Sequence, residues 1–202
     1  MMATVAGMAA GGLLARFLLR KSEEETAREL NAGEEDKAVS YVVAKTWEDV
    51  GRLLMGIVEG HHGDVAPYDN FTFQQWYEHV RSLPYIPDQR KAGEHDLDVF
   101  CRPRRTLGDN PPCRDCDDKA ILMACWCFRH GVPFRFAVCS YEDAKEAEVE
   151  CWHCILEVLL GGAWSECDST YPEDSFPGWR KYHNKIILSE WAKPDNQRAE
   201  RA

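Results

Sequence analysis

Three side chains in this sequence are of the types that acyl-transfer chemistry needs. Cys116 opens the run "CDDKAILMACWCFRHG", His153 lies in "CWHCILEV", and Asp168 closes "AWSECDSTYP". A thiol becomes a strong nucleophile when an imidazole takes its proton. A carboxylate on the far side of that imidazole fixes its tautomer and stabilises the imidazolium. The three are far apart in the chain, so the chemistry depends on the elements that position them.

The first element is a helix. Asp115 is a good N-cap, Asp117 and Asp118 suit a first turn, and Gly131 followed by Pro133 is a stop signal. Ile121, Leu122, Cys125 and Phe128 form its apolar stripe. Cys116 thus sits in the first turn, where unbonded N–H groups and the helix dipole favour a thiolate. The neighbouring aspartates oppose this, so activation has to come from a partner elsewhere.

The other two residues belong to a hairpin. "PFRFAVCS" reads as a strand, and "CWHCILEVLLGGAWSECDSTYP" as two strands joined at Gly161-Gly162. With those glycines as the turn, Leu160 pairs with Ala163 and Ile155 lies opposite Asp168. His153 and Asp168 are then diagonal neighbours on one face, roughly 7–8 Å apart at the backbone and within side-chain reach. A turn one residue longer would break the arrangement.

Metal binding is the main competing chemistry. Cys113-x-x-Cys116 and Cys151-x-x-Cys154 form a CxxC…CxxC pattern, which often means zinc. The gap between the pairs is 34 residues and holds a predicted helix and strand. Cys151 and Cys154 are three apart in a strand and point to opposite faces, so they cannot hold one ion together. Cys113, Cys125, Cys127, Cys139, Cys154 and Cys167 read most simply as small buried hydrophobes. Cys151 shares the face of His153, and Trp152 and Trp164 read as core or cleft walls. "GHHGD" (60–64) and "EHDLD" (94–98) are loop segments with too few ligands for a metal site. No metal and no cofactor is expected.

Composition narrows the class. The 202 residues suit one domain with a short extension, and the apolar share of 45% with 29% charged residues is that of a globular protein. A net charge of −10 argues against nucleic-acid binding, although "CRPRRTL" carries three arginines. Nine cysteines with no secretory signal point to reduced thiols in a cytosol-like compartment. The apolar run in residues 1–20 is interrupted by Arg16 and falls short of the ~20 residues a membrane span needs. It fits a helix packed on the domain, a weak membrane-surface or virion association, or a mistaken upstream start.

Residues 13–30 are helix-compatible, and a second helix is expected from about Lys37 to Glu59 on the stripe Val39, Val43, Val50, Leu53, Leu54 and Ile57. Residues 59–70 read as a loop, "FTFQQWYEHVRSL" as a third helix, and residues 84–112 as a long irregular connection. The expected organisation is a helical extension (1–36), a catalytic domain (37–190) and a polar tail (191–202).

The motifs together resemble the transglutaminase-like superfamily. Its Cys-x-Asp helix start is matched by Cys116 and Asp118, and its Gly-x-Pro-x-Arg exit by Gly131, Pro133 and Arg135. Its His-x-x-x-Glu and Trp-x-x-x-Asp strands are matched by His153 and Glu157, and by Trp164 and Asp168. Upstream, Tyr85 to Asp88 and Pro103 to Leu107 resemble the lead-in of a compact branch often encoded by phages and prophages. The likeness covers residues 70–172, and Arg114 stands where that branch commonly has glycine.

The resemblance implies an α+β, papain-like fold with the nucleophile helix packed on a small antiparallel sheet. It implies thiol acyl transfer on a protein or peptide substrate, with Cys116, His153 and Asp168 as the triad. Hydrolysis of amide or peptide bonds is the leading outcome and protein crosslinking the second. A catalytically silent virion or assembly protein is the alternative from another class. A phage-encoded protein would work in the host cytoplasm or the virion.

Overall fold

The computed structural model describes residues 36–40, 46–87, 97–109, 111, 113–141, 153–170 and 182–192. Strand β1 (Asp36–Ser40) is followed by helix α1 (Trp47–His61), a 3-10 helix (His62–Tyr68) and helix α2 (Phe73–Ser82). Then come strand β2 (Leu97–Cys101), the single-turn helix α3 (Pro103–Thr106) and helix α4 (Cys116–His130). Strands β3 (Phe134–Tyr141), β4 (His153–Leu160), β5 (Ala163–Cys167) and β6 (Tyr182–Trp191) complete the fold. Among the described residues no helix is long and apolar enough to cross a membrane.

Four strands form one antiparallel sheet in the order β5-β4-β3-β6, and β1 pairs with β2 in a separate two-stranded ribbon. Helix α4 packs between the large sheet and a layer made of α1, α2 and the 3-10 helix. Every residue from Asp117 to Cys127 is therefore buried, and the apolar stripe read from the sequence is only one side of an enclosed helix. Trp76 anchors α2 by donating its indole N–H to the Leu122 carbonyl at 3.2 Å. Trp126 does the same for the 3-10 helix, donating to the Tyr68 carbonyl at 3.3 Å. This α+β architecture, helix on small antiparallel sheet, is the one expected.

Several local expectations need correction. Residues 36–40 form strand β1, paired from Asp36↔Cys101 to Ser40↔Leu97, and the helix begins only at Trp47, behind the Thr46 cap. At Val39 the helical spacing was outweighed by pairing with Asp98 of a strand distant in sequence. The segment read as a loop after α1 is a 3-10 helix, and the irregular connection contains β2 and α3. Strand β6 was not foreseen at all. The N-terminal run and residues 193–202 lie outside the described residues, while Asp36 of the expected extension opens β1 and Trp191 of the expected tail ends β6.

The sequence did anticipate α4 and the hairpin. Gly131 ends α4 in the left-handed region at φ 68°, and Gly161 and Gly162 take φ 59° and 87° in the turn. Both central positions of such a two-residue turn need positive φ, which glycine adopts without penalty. The resulting register runs from Leu160↔Ala163 to Leu156↔Cys167, which places Asp168 one step further on, across from Ile155.

Candidate active site

Asp115 occupies the N-cap of α4 with extended backbone, but its side chain makes no capping bond. The first-turn Asp118 instead reaches out of the helix, accepting the Cys101 backbone N–H at 2.8 Å. That bond ties the start of α4 to the end of β2. Cys116 stands between these aspartates and is partly exposed, whereas the other described cysteines are buried.

Sheet geometry brings the second element to the thiol. The backbone N–H of Cys154, at the start of β4, points at the Cys116 sulfur from 3.5 Å. A donor in that position favours the thiolate over the thiol. The adjacent residue, His153, places Nε2 2.9 Å from Asp168 Oδ2, and both side chains are almost fully buried. With Nε2 directed at a carboxylate, Nδ1 lies on the side of the ring away from Asp168. Cys116, His153 and Asp168 thus gather where the mouth of α4 meets the end of the β4–β5 hairpin.

Asp168 is held from behind. Its backbone carbonyl accepts the Tyr77 hydroxyl at 2.8 Å, and its Oδ1 accepts the Thr170 N–H at 2.9 Å. One turn into α4, the fully buried Lys119 donates to the carbonyls of Ser169 at 3.1 Å and Arg81 at 3.4 Å. Burial and the nearby Arg114 lower the Lys119 pKa to about 8, with Asp168 pulling the other way. Tyr77 and Lys119, which hold the backbone at Asp168 and Ser169, are residues that sequence reasoning missed. Their partners are backbone carbonyls remote in sequence, which leave no side-chain motif.

The transglutaminase-like superfamily model matches residues 54–169, more than half of the chain, and includes Cys116, His153 and Asp168. The chain belongs to the transglutaminase-like superfamily. No curated protein shows significant similarity to it. Among solved structures, it is similar to a protein of Cytophaga hutchinsonii provisionally assigned as a cysteine protease, at 12% identity and a TM-score of 0.40. That match covers 78% of this chain and 63% of the neighbour, so the chain spans less than two thirds of its length. Membership suggests a cysteine-dependent enzyme.

Within this transglutaminase-like domain the remaining motif residues form a charge network on the same sheet face as His153 and Asp168. Arg135 sits opposite Glu157 in the register and bonds it at 2.5 Å, with its guanidinium 4.3 Å from the Trp164 ring centroid. Lys185, on the unforeseen β6, bonds Glu157 at 2.5 Å and Glu166 at 3.1 Å. Two cations thus neutralise the buried Glu157, the condition under which a buried charge is tolerated. Lys185 is raised in pKa because its bonds to Glu157 and Glu166 outweigh the effect of burial.

Several of the other residues singled out in the sequence have structural partners, and residues 94–96 of "EHDLD" lie outside the described residues. Asp64 of "GHHGD" grips Arg102 of "CRPRRTL" through two bonds of 2.9 and 2.8 Å and accepts the Arg104 N–H at 3.1 Å. Burial opposes ionisation of Asp64, but these donors outweigh it and lower its pKa. Arg114, in the place of the usual glycine, donates to the carbonyls of Thr106 at 2.8 Å and Gly108 at 2.8 Å. Burial raises the thiol pKa of Cys125, Cys127 and Cys167, keeping them protonated at neutral pH. Cys113 faces Cys101 rather than a second CxxC pair. Cys151 and Trp152 lie outside the described residues.

Proposed function

We propose that the protein is a cysteine hydrolase that cleaves amide or peptide bonds with Cys116 as nucleophile, His153 as acid–base and Asp168 as the orienting carboxylate. The observation that carries this is the pair of adjacent contacts at the start of β4. Cys154 offers its amide to the Cys116 sulfur, and His153 bonds Asp168.

In the first step His153 Nδ1 takes the thiol proton while Sγ attacks the carbonyl carbon, and the C=O electron pair moves onto oxygen. The Cys116 backbone N–H, at the start of a helix whose N-cap side chain makes no capping bond, is suited to meet that oxyanion. The tetrahedral species collapses, the C–N bond breaks, and imidazolium gives its proton to the departing amine. Water then attacks the thioester, His153 takes a proton from it, and collapse releases the acid and the thiol. Hydrolysis is favoured over crosslinking because water is always at hand as acceptor.

One incubation tests both the class and the outcome. The full chain is mixed with a peptide pool and a biotinylated primary amine, with Cys116→Ala as control, and products are read by mass spectrometry. New peptide N-termini that depend on Cys116 support hydrolysis. Amine-tagged glutamines would move the assignment to crosslinking. No product, with Cys116 alkylating no faster than the buried cysteines, would leave the catalytically silent structural protein.

A further inference from the structure

Three residues ahead of the nucleophile, Cys113 meets a cysteine from another element. Cys101 ends β2 and Cys113 leads into α4; both are buried, and their sulfurs lie 2.7 Å apart. The Cys113 thiol also faces the Val99 carbonyl at 3.3 Å, and Asp118 stands beside the pair, its Oδ1 on the Cys101 N–H. Two cysteines and a carboxylate gathered this closely could hold a metal ion or form a disulfide.

Geometry separates the two. Zinc–sulfur bonds of about 2.3 Å in a tetrahedral site would hold two thiolates about 3.8 Å apart. The observed 2.7 Å is about 1.1 Å shorter than that and nearer to the ~2.05 Å of a sulfur–sulfur bond. We propose that Cys101 and Cys113 are a dithiol that oxidises to a disulfide, locking the end of β2 to the entry of the nucleophile helix.

The local electrostatics fit that outcome. The hydrogen bond between Cys113 and Cys101, burial and the charge of Asp118 all push the Cys113 thiol pKa upward, which disfavours the standing thiolate a metal would need and makes oxidation slow. A disulfide carries no charge and has no such conflict with Asp118. With hydrogen peroxide as oxidant, one thiol gives up its proton, its sulfur attacks a peroxide oxygen and the O–O bond breaks; the proton leaves with the departing hydroxide, giving a sulfenic acid and one water. The second sulfur attacks the first, the S–O bond breaks, and a second water leaves. The pair loses two electrons and two protons to peroxide overall.

The test uses the full chain carrying Cys116→Ser, so that it does not depend on the proposed activity. Reduced protein is treated with hydrogen peroxide, quenched, unfolded in iodoacetamide, digested and mapped without reduction. The expected product is the Cys101 and Cys113 peptides joined, lighter than the two free peptides by two hydrogens and separable by reductant. Its melting temperature should rise by on the order of 5 °C over the reduced form. The rise should vanish when Cys101→Ser is added; should that variant fail to fold, peptide mapping decides alone. Full alkylation of both cysteines after oxidation, bonding of either to a different cysteine, or stoichiometric zinc on the reduced protein would overturn the proposal.

Discussion

Helix starts in this molecule come in two kinds. Helices α1 and α2 each open with a complete capping box: Thr46 with Asp49, and Thr72 with Gln75, each threonine side chain bonding the third-residue N–H and each partner bonding back. Helix α4 opens on Asp115, which makes no side-chain cap, and its first-turn Asp118 serves the Cys101 amide. The outer helices spend their start on stability. The central helix instead presents its first N–H groups without a side-chain cap at the place where a thiolate and an oxyanion would use them.

The largest effect should come from removing the thiol at the uncapped start. Cys116→Ala is expected to abolish acyl transfer, a loss of roughly 10⁴-fold or more, while the melting temperature stays close to wild type. Loss of activity with unfolding would be read from circular dichroism of the same sample. Next comes the base. At pH 7 a thiol of pKa ~8.5 is about 3% thiolate, so His153→Ala should slow Cys116 alkylation by about thirtyfold if the pair is otherwise fully ionised. Iodoacetamide rates at each cysteine from pH 5 to 9, resolved by peptide mass spectrometry, measure this directly. An unchanged rate would put α4 in the same class as α1 and α2.

A smaller effect concerns the lysine one turn in. Lys119 has its pKa lowered from 10.5 to about 8, so the unfolded chain binds more protons between those values. The Lys119 contribution therefore grows as pH rises from about 8 to 10.5, by on the order of 3 kcal/mol, and is absent below pH 8. Urea unfolding at pH 7.5 and pH 10 should show this rise in wild type relative to Lys119→Met. The comparison with the variant cancels the opposite slope expected from buried tyrosine and cysteine. The smallest effects belong to the boxes: Thr46→Ala and Thr72→Ala should each cost about 1 kcal/mol of stability and leave Cys116 alkylation unchanged.

What could be read in advance follows from the range of the interactions. The α4 boundaries and the β4–β5 register rest on residues close in sequence: Asp115, Gly131, and the Gly161-Gly162 turn with its period of two. Cys116, His153 and Asp168 were legible for that reason. Strand β1 was read as helix because its evidence, the pairing with β2, lies some sixty residues away. In β6 the run Ile186, Ile187, Leu188 breaks alternation, and the structure shows why. The pairing with β3 jumps from Ser189 to Ile187, leaving Leu188 in a bulge. No motif marks Lys119, whose partners are backbone carbonyls remote in sequence, and nothing in the sequence around Cys101 names Cys113 as its neighbour.

That bulge has a kinetic consequence. Gly51 of α1 is seated so closely on it that an added Cβ would lie 2.3 Å from the Leu188 carbonyl oxygen. The contact joins α1 to β6, a loop closure of more than a hundred residues, and such closures tend to come late in folding. A late contact governs how fast the native state opens more than how fast it forms. Gly51→Ala should therefore speed unfolding while leaving the refolding rate nearly unchanged, measured by stopped-flow chevron analysis. The absence of one methyl group at Gly51 would then set how long the folded protein lasts.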